Sequence, residues 1–193
     1  MIFLTVGAQM PFDRLVHSVD LWAWMRARHD VVAQIGETAF RPSCLQWTAF
    51  LDPIDYRQRL AEAEVVVTHA GMGTILTALE FGRPIIVLPR RADLRETRND
   101  HQWDTAAALE EAGRVFVARD ERQLLASLDR VDELPAPQRI ASHASLRLLS
   151  ALRRFIRGGE EAAVDMPAAA ETPAPHPTSF EMPRAEETGR RAA

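Results

Sequence analysis

The residues best suited to chemistry form one run, Val65-Val66-Val67-Thr68-His69-Ala70-Gly71-Met72-Gly73-Thr74. The valines read as a buried strand and the small residues after His69 as a turn, with a helix expected from Thr74. The first turn of a helix has N–H groups without intrahelical acceptors and a partial positive charge, which suits phosphate. Gly71 and Gly73 would let the backbone approach an anion closely. Thr74 could cap the helix or bond a phosphate oxygen. A plain strand-to-helix turn without a ligand is the other reading. The run is neither a Gly-x-Gly-x-x-Gly fingerprint nor a P-loop, because no lysine follows.

Two more clusters could work with this turn. His101 and Gln102 open a later helix, either facing a ligand on the same rim or as ordinary helix-start polarity. Arg90, Arg91, Arg95 and Arg98 form a basic loop that could offset the charge of an anionic ligand. Pairing with Asp93 and Glu96 is the plainer account. His69 ends its strand, where a structural and a functional histidine fit equally well. There is no Asp-x-Asp, no zinc-ligand spacing and no Gly-x-Ser-x-Gly elbow.

These clusters need a frame. Strands are expected at residues 2–6, 31–35, 45–48, 64–68, 85–88 and 115–118. Helices are expected at 12–28, 53–63, 74–81, 100–112, 121–128 and 138–157. Asp52 is a plausible N-cap with Pro53 in the first helical position. Trp22, Trp24 and Trp47 are expected in the core or at an interface. Alternating strands and helices imply an α/β fold, a doubly wound, Rossmann-like parallel sheet with both faces covered. Ligands bind such sheets beyond the carboxyl ends of the strands. The loops at 7–11, 49–53, 69–74 and 89–101 are therefore expected on one rim.

In this order the motifs resemble the C-terminal, donor-binding domain of family 28 glycosyltransferases. They are His69-Ala70-Gly71-Met72-Gly73-Thr74, Gly82-Arg83-Pro84 and Arg98-Asn99-Asp100-His101-Gln102. The start, Ile2-Phe3-Leu4-Thr5-Val6-Gly7 with Pro11-Phe12-Asp13, is similar to free-standing subunits of that family, as in dolichol-linked chitobiose synthase and bacterial exopolysaccharide glycosyltransferases. The resemblance covers residues 1–118 and implies one half of a GT-B enzyme. It places Gly7, Ala8 and Gln9 near the donor diphosphate. It sets Phe50 and Leu51 on the uracil edge, and Ala70, Gly71, Met72, Gly73 and Thr74 on the diphosphate, with His69 beside them. It sets His101 and Gln102 on the donor sugar. Thr77 stands where many relatives carry a ribose-binding Glu; Glu80 lies one turn further.

The resemblance further implies metal-independent, inverting transfer from a UDP-sugar to a lipid-linked or polysaccharide acceptor. The sugar would be an N-acetylhexosamine or a hexose. The UDP-sugar is the substrate; no metal or cofactor is expected. The catalytic base and acceptor site would belong to a separate, membrane-associated subunit. A non-catalytic nucleotide-sugar-binding or regulatory subunit is the alternative, and an epimerase relative a more distant one.

The chain has 193 residues, 47% of them hydrophobic, enough for one core. The net charge is −4, with 20 acidic and 20 basic residues in 1–157, and 7 acidic and 3 basic in 158–193. The balanced body argues against nucleic-acid binding. Residues 1–157 are expected to form the UDP-sugar-binding domain and 158–193 a disordered acidic Ala/Pro-rich tail. One cysteine, Cys44, no signal-peptide pattern and no long apolar run fit a cytoplasmic chain that reaches a membrane through a partner. The apolar residues of the last helix are expected mostly in the core.

Overall fold

The structure, a computed structural model, describes residues 1–157; the segment expected to be a tail, 158–193, lies outside the described residues. Residues Met1–His143 form one compact unit, and a second begins at Ala144.

The first unit contains β1 (Ile2–Thr5), α1 (Asp13–Met25), β2 (Val31–Gln34), β3 (Gln46–Thr48), α2 (Pro53–Glu62) and β4 (Val65–Thr68). It continues with α3 (Met72–Phe81), β5 (Ile85–Val87), α4 (His101–Glu111), β6 (Phe116–Val117) and α5 (Glu121–Leu128). A 3-10 turn follows at Val131–Glu133. All strand pairs are parallel, in the order β3-β2-β1-β4-β5-β6. This is the doubly wound Rossmann order. The chain reverses direction across the sheet between β1 and β4, and ligands bind such folds at that switch point.

β1 and β4 are fully buried, which explains their unbroken apolar runs. Phe3, Val66, Ile85 and Val87 face one layer, packed on Leu60, Ile75, Leu79 and Ala106 of the helices. The intervening positions Ile2, Leu4, Val67 and Ile86 are equally buried and face the other layer, where α1 and α5 meet. Asp52 caps α2 as expected, its carboxylate accepting from Ile54 N and Asp55 N at 2.8 and 2.9 Å. Gly82 ends α3 in the left-handed conformation.

Three expectations are corrected. α3 starts at Met72, two residues before Thr74, with extended Gly71 as its N-cap. Residues 138–145 are not helical. Arg139 lies against Gly82, and Ile140 N donates to Leu79 O at 3.3 Å, so this stretch straps the end of α3. The last helix, α6 (Leu146–Ile156), starts where the Ser145 hydroxyl accepts from Leu148 N, and none of its residues is buried. Of the tryptophans, Trp22 is buried, whereas Trp24 and Trp47 are exposed. No helix among the described residues is long and apolar enough to cross a membrane.

Asp129, at the end of α5, ties that helix to α1. Its carboxylate accepts from Trp22 Nε1 at 2.9 Å and from Arg26 Nε at 2.7 Å. The Arg26 bond, with help from Trp22, holds the carboxyl below its ordinary range. Its stabilising contribution is therefore complete above the unfolded carboxylate value, near about pH 4, and is lost as pH falls through the lower folded value. Asp129→Asn is expected to unfold at lower urea than the parent at pH 7. Repeating the titrations below about pH 4 should progressively close that gap.

Candidate functional site

The loops after β1 and β4 meet around His69. Its imidazole lies between the backbones of Gly7 and Gly71. A Cβ on Gly7 would stand 2.8 Å from His69 Cε1, and one on Gly71 would overlap Nε2 of the same ring. Gly7 also has φ +79°, in the left-handed region. Gly71 has an ordinary φ of −91°, so the ring beside it is what excludes a side chain. A Cβ on Gly73 would meet nothing within 4 Å. Of the two glycines in the sequence motif, only Gly71 is required by packing.

The histidine's proton can be placed. Thr68 Oγ1 donates to Thr5 O at 2.9 Å, so it accepts from His69 Nδ1, 3.3 Å away. Nε2 then carries the lone pair. Burial, and secondarily the charge of Arg90, pushes the ring's pKa down to about 4. His69 is neutral at physiological pH.

Next to it, α3 begins without a side-chain cap. The N–H groups of Met72, Gly73 and Thr74 have no acceptor among the described residues. Thr74 does not cap the helix: its hydroxyl bonds the Tyr56 hydroxyl at 2.7 Å and is buried. Thr77 donates its hydroxyl proton to Gly73 O at 2.9 Å. Glu80 is held by Arg57 at 3.2 Å.

Arg90, expected on a basic rim, points inward instead and is 4% exposed. It donates to Val6 O, Met10 O, Pro11 O and Glu96 O at 2.7–3.1 Å and stacks 4.6 Å from the centre of the Phe12 ring. Burial lowers its pKa to about 10, still cationic at neutral pH. Arg91 pairs with Asp93 at 2.6 Å, and Glu96 pairs with Arg14 at 2.7 Å. Arg95 and Arg98 stand exposed.

Gln34 connects two more of the loops. Its Nε2 donates to Gly7 O at 3.1 Å, and its Oε1 accepts from Leu51 N at 3.0 Å. Leu51 N–H is therefore engaged within the protein and is unavailable to a ligand. Ala8, Gln9 and Phe50, with Met10, Pro11, Gly36 and Glu37, line a cavity of about 280 Å³. At the start of α4, Gln102 is buried, and its Oε1 accepts from Arg90 N at 3.2 Å. Its NH2 group has no acceptor among the described residues. His101 is exposed, its Nδ1 bonded to Asn99 Oδ1.

The structure thus joins residues 7–9, 50–51, 69–74 and 101–102 on one rim and sets Thr77 one turn up α3. Sequence reasoning missed Gln34, Tyr56 and the inward role of Arg90. One signal was present: β1, β2 and β4 each end on a polar residue, Thr5, Gln34 and Thr68, and all three are buried. Among the described residues, no group of three or more His, Cys, Asp or Glu could hold a metal ion.

A family model for the glycosyltransferase family 28 C-terminal domain matches residues 1–145. The mouse (Mus musculus) UDP-N-acetylglucosamine transferase subunit ALG13 is 31% identical over 125 residues, covering 59% of this chain and 10% of that protein. The human (Homo sapiens) protein of the same name is 30% identical, covering 60% and 11%. The chain thus spans about a tenth of the length of these curated relatives. An NMR structure of ALG13 matches with TM-score 0.52 and 19% identity, over 80% of this chain and 93% of that one. A glycotransferase of kitacinnamycin matches with TM-score 0.50 and 23% identity, over 82% and 39%. At these identities the two structures show the shared fold, that of one half of a GT-B glycosyltransferase.

Two predictions follow from His69. Gly71→Ala is expected to destabilise the fold by about 1–3 kcal/mol by overpacking against the ring. In a His69→Ala background the same substitution should be nearly neutral, a coupling that a double-mutant cycle in urea measures. Because the folded ring protonates near 4 and an unfolded one near 6.5, stability should fall as pH drops from 6.5 to 4 and level off below. That slope should be absent from His69→Gln in urea titrations across the same range.

Proposed function

This chain belongs to the family of glycosyltransferase family 28 C-terminal domains, and on that premise we propose that it is the donor-binding subunit of a metal-independent, inverting glycosyltransferase. The donor is a UDP-sugar carrying an N-acetylhexosamine or a hexose, and the acceptor is a lipid-linked or polysaccharide hydroxyl. The observation that carries the reading is the uncapped start of α3, beside a neutral His69 at the sheet's switch point.

In this reading the diphosphate lies on the N–H groups of Met72, Gly73 and Thr74, with Gly7, Ala8, Gln9 and Ala70 around it. Transfer breaks the bond between the anomeric carbon and the β-phosphate oxygen, leaving an added negative charge on UDP. Fixed N–H dipoles are already aimed at that charge and need no reorganisation as it develops. His69 offers a lone pair at Nε2, so it takes up a proton before it can donate to a phosphate. The uracil fits the cavity at Ala8, Gln9 and Phe50, where the Phe50 N–H, without an acceptor among the described residues, and the Leu51 C=O are available to the base edge. The exposed His101 and the free NH2 of Gln102 reach the sugar hydroxyls. The acceptor and the base that deprotonates it come from a separate, membrane-associated subunit. We place the chain in the cytoplasm, with no metal or cofactor in its reaction.

A second reading, a non-catalytic nucleotide-sugar-binding subunit, rests on one feature. Thr77 turns its hydroxyl to Gly73 O, and Glu80 is held by Arg57, so no free carboxylate serves the ribose. Glycosyl transfer in the presence of the acceptor subunit separates the two.

Calorimetry on the whole chain tests the donor site. UDP and UDP-N-acetylglucosamine are expected to bind saturably with chelator present. His101→Ala should weaken the sugar nucleotide about tenfold, the worth of one hydrogen bond, and leave UDP almost unchanged. Binding that requires a divalent cation, or no binding of either ligand, would sink the proposal.

A further inference from the structure

We propose that Gln34 and Thr48 set the base selectivity of the donor site: they fix the peptide between Phe50 and Leu51, so that one hydrogen-bonding pattern alone is offered to a nucleotide base. The inference rests on the donor-binding reading and deepens it. It starts from the register of the sheet. Thr48, Gln34, Thr5 and Thr68 are partners in one row across β3, β2, β1 and β4. Interior strands of a parallel sheet are usually apolar throughout, yet Gln34, Thr5 and Thr68 are buried polar residues. Buried polar groups need partners, and this row finds several of them in the loops beyond the strands.

Gln34 is 4% exposed, and both ends of its amide are used. Gly7 O can only be met by the NH2 and Leu51 N–H only by the oxygen, so the amide has one orientation. Thr48 Oγ1 donates to Phe50 O at 3.2 Å. The backbone bond from Gly36 N to Ala49 O precedes this segment, and the cap of α2 at Asp52 follows it. Between them the Phe50–Leu51 peptide has no backbone partner among the described residues. Thr48 holds its C=O and Gln34 holds its N–H. A peptide held at both ends does not turn over. The base then meets Phe50 N–H and Leu51 C=O, one donor and one acceptor. Uracil answers with a carbonyl and its N3–H. Cytosine carries a lone pair at N3, which would face the Leu51 carbonyl with no proton between them. A released peptide is free to turn Phe50 C=O or Leu51 N–H toward the base, and cytosine then finds partners.

The other arm of Gln34 acts on the loop after β1. It draws Gly7 O toward itself. The C=O and N–H of a trans peptide point opposite ways, so Ala8 N–H is turned away from Gln34. Ala8 lines the same cavity as Phe50, and its N–H has no acceptor among the described residues. One buried amide thus orients a peptide in each of two loops at that cavity.

The test is calorimetry of UDP and CDP on the full chain, on Gln34→Met and on Thr48→Val. Both substitutions remove the bonds with little change in size. The parent is expected to prefer UDP about 30-fold or more, because a mismatched base edge leaves polar groups unpaired. Each variant should lower that preference about tenfold, chiefly by weakening UDP. Thr48→Val alters one half-buried hydroxyl, so it keeps a folded protein to measure even where loss of Gln34 does not. Asp129→Asn, which weakens the fold elsewhere, should keep the parent's ratio. Equal binding of UDP and CDP by the parent, a ratio unchanged in either folded variant, an equal loss of both nucleotides, or a ratio that also falls in Asp129→Asn would overturn the inference and leave the donor site standing. A parent that binds neither nucleotide would remove the donor reading and this inference with it.

Discussion

The site depends on one buried cation. Enclosing a guanidinium in protein is costly unless its charge and its donors are satisfied. Arg90 meets that condition with four carbonyls, the face of Phe12 and the nearby carboxylate of Glu96. Three of those carbonyls, at Val6, Met10 and Pro11, belong to the loop after β1. The same residue's N–H holds Gln102 at the start of α4. One side chain thus fixes the spacing of two rim segments and, through its charge, helps keep His69 neutral. Glu96 in turn is anchored by Arg14 from α1, so the helix behind the sheet also feels the rim.

The second constraint is steric. An imidazole between two backbones leaves no room for a β-carbon on either side. The turn after β1 and the turn after β4 are therefore held at the width of one aromatic ring. At the reversal point of a doubly wound sheet, that width sets how the two loops face a ligand. Buried polar ends on β1, β2 and β4 complete the arrangement. The Thr5 hydroxyl accepts from Gly7 N in its own loop, Gln34 bridges the loops after β1 and β3, and Thr68 ties the end of β4 to Thr5 O at the end of β1.

The layered fold was legible because its physics is local. Apolar runs of four residues with glycine or proline after them mark parallel strands, and Asp52-Pro53 marks a helix start as well in sequence as in space. The residues around the glycine turn were legible too, since small residues between a strand and a helix have few other uses. Arg90 was not: four arginines in one loop look alike until the fold shows which of them lies beneath the β1 loop. Nor was the reason for Gly71, which depends on a ring two residues away rather than on its own φ. The stretch 138–145 misled because its helical pattern was read without the unfilled end of α3, which Arg139 and Ile140 cover. The apolar periodicity of α6 was legible as a helix, but periodicity alone does not tell what its apolar face packs against.

The ends of the sheet carry a consequence of their own. Its two outer strands, β3 and β6, are three and two residues long. On β3 the Trp47 ring is covered by Arg41, whose guanidinium lies 5.2 Å from its centre. An open parallel sheet with long bare margins would invite strand addition from another chain, and with it fibrous aggregation. Margins this short leave almost no ladder to extend. Any assembly this molecule enters must then be built from loops and helix faces, not by continuing its sheet.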